Sequence, residues 1–112
     1  MADLDDFQSG LKALSDAYAA ELPQKIQQIE AAWGNLQHGE WDDAGFQSLH
    51  RMVHSLTGSG RTFGFATLSD AARALETMLA EMVQVKAMPD QEQRNQMRMA
   101  LSALQQAVKQ RS

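Results

Sequence analysis

The sequence predicts an all-α fold, an up-down antiparallel four-helix bundle with an additional N-terminal helical segment. Three observations lead there. Apolar residues recur at alternating three- and four-residue steps along most of the 112-residue chain. Ala, Leu, Gln, Met and Glu are abundant and there are only two prolines, a composition that favours helix over sheet. The breaks between periodic stretches are short, and short connections make neighbouring helices antiparallel. The length suits one domain spanning residues 1–112, and 44% apolar residues suffice for its core.

The first stretch opens on Asp3, Asp5 and Asp6, acids suited to a helix N-terminus. Leu4, Phe7, Leu11, Leu14 and Tyr18 then form a helical stripe, expected to cap or extend the bundle. Pro23 lacks an amide donor and should kink or break the helix. Ile26, Ile29, Trp33 and Leu36 resume the stripe to about Gln37, so one kinked helix or two helices fit equally. Gly39 ends this stretch, Trp41 is expected to pack over the connection, and Asp42 or Asp43 can cap the next helix. That helix should run over about 43–61, followed by one over 67–86 with Leu68, Ala72, Leu75, Leu79 and Met82 inside. Pro89 is expected in the first turn of a last helix whose stripe is Met97, Leu101, Leu104 and Val108, with Lys109 and Arg111 in its last turn. The seven methionines read as adaptable core filler.

Composition also excludes function classes. Without cysteine there are no disulfides and no thiolate metal sites. No apolar run reaches the roughly 18 residues of a membrane span, and the MADLDDF start has no signal-peptide core. A net charge of −4 disfavours nucleic acid and anionic membranes as partners. The expectation is a cytoplasmic monomer. The opening Met1 and the polar, charged close favour a natural single-domain protein over a fragment.

The stretch carrying chemistry is residues 46–65, FQSLHRMVHSLTGSGRTFGF. Phe46, Leu49, Val53, Leu56, Gly60 and Phe63 form its buried seam. His54 lies roughly 130° from the seam's centre, and Gly58 almost opposite it, so both face outward. An exposed glycine inside a helix costs about 1 kcal/mol relative to alanine. A partner that must approach the backbone one turn from His54 would explain it.

HSLTGSGRTFGF resembles the signature of histidine-containing phosphotransfer (HPt) domains: a histidine, two residues, usually a lysine, a glycine, two small residues, and later an apolar residue followed by glycine. His54 matches the phosphoaccepting histidine, Gly58 the glycine, Ser59 and Gly60 the small pair, and Phe63 with Gly64 the closing pair. Thr57 stands where the family carries lysine. The close resemblance covers about residues 46–79, including the AARALE run ending at Glu76, and TFGF looks like the phosphotransfer domains of chemotaxis-type kinases. It implies a phosphorelay carrier that accepts a phosphoryl group on His54 from a receiver aspartate or a hybrid histidine kinase and passes it to a response-regulator receiver domain. Thr57 would donate a neutral hydrogen bond to the phosphoryl group. Arg61, helped by Arg51, would supply the missing positive charge, unless the receiver's own lysine and metal suffice. His50, Arg51, Ser55 and Gly58, with Met52, are the expected partner contacts. No cofactor of its own is expected; a divalent metal would come with the receiver.

His50 and His54, four apart, could share a metal, but no third ligand is evident. His38 reads as a loop histidine, Trp33 as bundle packing, Gly64 as a turn or close packing, and Phe63 and Phe65 as core. No phosphate loop, carboxylate pair or Ser-His-Asp spacing points to a self-sufficient enzyme. Two alternatives stand beside the carrier: a non-phosphorylated HPt-like adaptor that binds a receiver or kinase, and a helical structural or dimerisation module.

Overall fold

The computed structural model describes residues 2–110. Arg111 and the Asp3 side chain, both given helix-end roles above, lie outside that description. The chain forms four helices, α1 (Ala2–Leu36), α2 (Asp43–Thr62), α3 (Ala66–Val85) and α4 (Gln91–Ala107), with no strand among the described residues. Their inward stripes merge into one core of Leu22, Ile29, Phe46, Leu49, Val53, Leu68, Leu75, Leu79, Met97 and Leu104, all fully buried. This is the predicted four-helix bundle.

The helix ends follow local chemistry. Of the two candidate caps it is Asp42 that accepts a hydrogen bond from the Gly45 amide, at 3.0 Å. A β-carbon at Gly45 would fall 2.4 Å from that carboxylate and 2.6 Å from Leu36, so the glycine leaves room for the cap. Trp41 stacks on Phe46 at 4.2 Å, covering the connection as expected. Gly64 has φ +88°, the left-handed conformation that turns α2 into α3. Asp90 and Gln93 form a reciprocal capping box at the start of α4. Pro89 therefore sits just before the cap rather than in the first turn, because Asp90 satisfies the free amides more fully. Lys109 lies beyond the end of α4 at Ala107.

Pro23 neither breaks α1 nor ends it. Its ring is on the exposed side, while Leu22 and Ile26 on either side are buried and hold the helix through the missing hydrogen bond. The bundle ends short of the start of α1. Tyr18 is buried, but Leu4, Phe7, Leu11 and Leu14 all stand exposed. The first turns of α1 extend the bundle, and the molecule is 58 Å long but only 24 by 19 Å across.

Candidate functional site: an exposed histidine held by a carboxylate

His54 projects from the middle of α2, between the buried Val53 and the buried Leu56. With both neighbours locked in the core, the helix cannot rotate and the imidazole has a fixed outward direction. Its side chain is 71% exposed. Its Nδ1 bonds to Oε1 of Glu76 on α3. Glu76 is only 16% exposed. It follows Leu75 and precedes Leu79, both fully buried, so α3 packing fixes the carboxylate. A carboxylate only accepts, so Nδ1 donates this hydrogen bond to Glu76 and Nε2 is the ring nitrogen left on the solvent side.

The face around Nε2 is bare. A β-carbon placed on Gly58 would meet nothing within 4 Å, so its outward position is as the periodicity predicts. Arg51 and Ser55 are exposed beside His54. The half-buried His50 stacks its ring on His54 at 6.4 Å and 18°. Arg61, two turns on, lies on the same side of α2. Its guanidinium pairs with Asp70 at 3.2 Å, and both side chains are more than half exposed, so the pairing is weak and exchangeable. Met52, Ser55, Leu56 and Ser59 with Lys25, Gln28 and Ile29 line a groove of about 180 Å³ between α1 and α2. A larger hollow of about 690 Å³, at Pro23, Gln27 and Gln105, shares no residue with the His54 face.

Thr57 is placed differently from the expectation. It is buried, and its hydroxyl donates to the Val53 carbonyl at 3.1 Å. Its own carbonyl accepts from the buried Ser69 hydroxyl at 2.6 Å, which ties α2 to α3. The position at which the family lysine was expected is thus turned into the α2–α3 contact. The phosphate-facing role assigned to Thr57 has no support in this geometry. The cause is rotational: three residues beyond His54 the helix has turned about 300°, and the short threonine follows the helix inward where a long lysine can reach out.

Sequence reasoning missed Glu76 as a site residue. The AARALE run carries part of the family resemblance, but pairing its last residue with His54 requires the register of α3 against α2. The register depends on how the side chains of the two helices interdigitate and on the buried hydrogen bond from the Ser69 hydroxyl to the Thr57 carbonyl. Also missed was the anchor behind the site, where Tyr18 shares a 2.7 Å hydrogen bond with Ser59 and stacks on Phe63 at 4.8 Å.

The geometry thus sets an oriented, exposed imidazole on an open helix face. The model of the Hpt domain family matches residues 13–107, and the chain belongs to that family. Histidine phosphotransfer in two-component signalling is therefore its functional class. Comparison with curated proteins and with solved structures gives no match. Among the described residues no helix is long and apolar enough to cross a membrane.

Proposed function

We propose that His54 is the phosphoacceptor and that the protein relays a phosphoryl group between a receiver aspartate or histidine kinase and a response-regulator receiver domain. The observation that carries this reading is the Nδ1–Glu76 bond beneath an exposed Nε2. In the transfer the Nε2 lone pair attacks the phosphorus of an aspartyl phosphate. The N–P bond forms, the P–O bond breaks, and the aspartate leaves as carboxylate. Positive charge develops on the ring, and Glu76 stabilises it through the Nδ1 proton. The reverse steps hand the group on.

The remaining roles follow from position. Gly58 gives the receiver's loops access to the backbone, and Arg51, Ser55 and His50 border that approach. Met52 and Ser55 on the groove edge give it an apolar and a polar foothold. Arg61 can leave the exposed Asp70 for the incoming phosphoryl oxygens. The groups flanking His54 are His50, Arg51, Ser55 and Arg61, with Glu76 engaged by Nδ1, and among the described residues no three His, Cys, Asp or Glu are grouped to hold a metal. That set does not suit a divalent cation, so the metal needed for aspartyl chemistry is assigned to the receiver. A cytoplasmic setting, without nucleic acid or membrane as partner, belongs to the same reading.

Incubation with phosphorylated receiver domains of the source organism tests this reading. Wild type should take up acid-labile phosphate and His54→Gln none; uptake by His54→Gln would overturn it. A second reading, an adaptor that binds receivers without carrying phosphate, is favoured by one observation, the absence of a charged side chain at position 57. It predicts that His54→Gln keeps its effect on the partner.

A further inference from the structure

The start of α1 presents an apolar seam that the bundle leaves uncovered. Leu4, Phe7, Leu11 and Leu14 are 58%, 63%, 51% and 57% exposed. With Tyr18 they follow strict alternating steps of three and four, the a/d spacing of a paired helix. From Tyr18 onward the steps change to Leu22, Ile26 and Ile29, and the stripe enters the core. Of the positions flanking the exposed seam, Gln8, Gly10, Ser15 and Ala17 are uncharged and Asp3, beside Leu4 at its start, is the one acid. The charges Asp5, Asp6, Lys12 and Asp16 all fall on the far side, where Lys12 and Asp16 pair within the helix at 3.4 Å. A helix bathed in water on all sides has no reason to sort its residues so. A helix that receives another along that seam does.

We infer that the seam is covered by the same segment of a second copy, in an antiparallel pair. Antiparallel pairing sets Leu4 against Leu14 and Phe7 against Leu11, because both pairs are centred near residue 9. The seam is thus complementary to itself, as a twofold contact demands. The bundle excludes the parallel alternative. Ser15 donates to the Phe63 carbonyl at 2.8 Å, and Phe63 and Phe65 lie on the Tyr18 ring, so the α2–α3 turn occupies the seam side from residue 15 onward. Parallel helices would drive the two turns into each other. Antiparallel helices carry the two bundles to opposite ends and bring each Leu4 down beside the partner's turn. A large apolar side chain exposes roughly 200 Å², so these four leave on the order of 450 Å² per copy. Two copies with their flanking residues bury about 1,000 Å², the lower bound of a specific interface and the size of a reversible one. This replaces the expected monomer with a weak dimer and does not depend on the role of His54.

Sedimentation of the 112-residue chain over about 1 to 300 μM tests the pairing. The mass should climb from 12.4 kDa towards twice that value, while Leu11→Asp stays at the single-chain mass with unchanged helicity and thermal midpoint. A wild type that sediments as one chain throughout, or a Leu11→Asp that associates like wild type, would overturn the dimer. The chain has no cysteine of its own. On oxidation Leu4→Cys should therefore cross-link to Leu14→Cys when the two are mixed. If Leu4→Cys instead cross-links to itself more readily, the antiparallel arrangement is wrong.

Discussion

At the residue scale the account rests on two side chains that act as one. Without Glu76 the His54 ring can turn, its proton is shared between nitrogens, and the developing positive charge loses its partner. Hydrogen bonds to charged groups contribute about 1.5–3 kcal/mol. Glu76→Ala should therefore slow phosphoryl uptake about tenfold to a hundredfold in a quenched time course, and Glu76→Gln, which keeps an acceptor but not the charge, by less. A Glu76→Ala protein as fast as wild type would remove the carboxylate from the mechanism. Thr57 gives the opposite prediction. Because its hydroxyl serves the Val53 carbonyl, Thr57→Val should cost about 1 kcal/mol of stability in a denaturant titration and leave the uptake rate unchanged. The contrast marks what single-residue reading could reach. His54 was legible because an outward direction follows from helical period alone. Glu76 was not, because its role is a contact between two helices, and the inward turn of Thr57 was missed because a family position was taken to fix a direction that side-chain length decides.

At the scale of the element, α2 is a rigid bar with an open track along one side. Asp42 caps its start, and Gly64, at φ +88°, ends it. The apolar seam from Phe46 to Gly60 holds it against its neighbours. On the other side Gly58 carries no side chain and faces no neighbour. Gly58→Ala should accordingly raise stability by about 0.5–1 kcal/mol, through helix propensity alone, while lowering the rate of transfer to a receiver. A variant that is more stable and equally fast would show that the glycine is not kept for a partner. Element positions were read from the sequence to within a residue or two, since periodicity and caps are local signals. Pro23 was the exception. Its intrinsic cost is local, but Leu22 and Ile26 override it through burial, and that burial is a property of the whole bundle.

At the scale of the molecule, Tyr18 joins α1 to the end of α2, bonding to Ser59 and stacking on Phe63. Burial pushes the Tyr18 phenol above its ordinary pKa of 10.0, with the Ser59 hydrogen bond opposing in part. The folded state therefore holds the phenolic proton more tightly than the unfolded chain does. This contribution to stability is complete below about pH 10 and is lost as pH rises through the folded value. The unfolding midpoint of wild type should fall more steeply above pH 10 than that of Tyr18→Phe; parallel profiles would contradict the assignment. The helical bundle was legible because amphipathic stripes and short connections leave few other ways to bury them. The N-terminal segment was expected to cap or extend the bundle, but that its stripe residues stay uncovered was not legible, because a stripe in sequence looks the same whether the bundle or a second molecule covers it. The central claim, that Nε2 of His54 accepts the phosphoryl group while Nδ1 stays bonded to Glu76, is tested most directly by nitrogen-15 NMR of histidine-labelled protein phosphorylated by a receiver. The account predicts a phosphorus-coupled Nε2 signal from His54 alone, with Nδ1 still protonated; phosphorus coupling at Nδ1, or at His38 or His50, would contradict it.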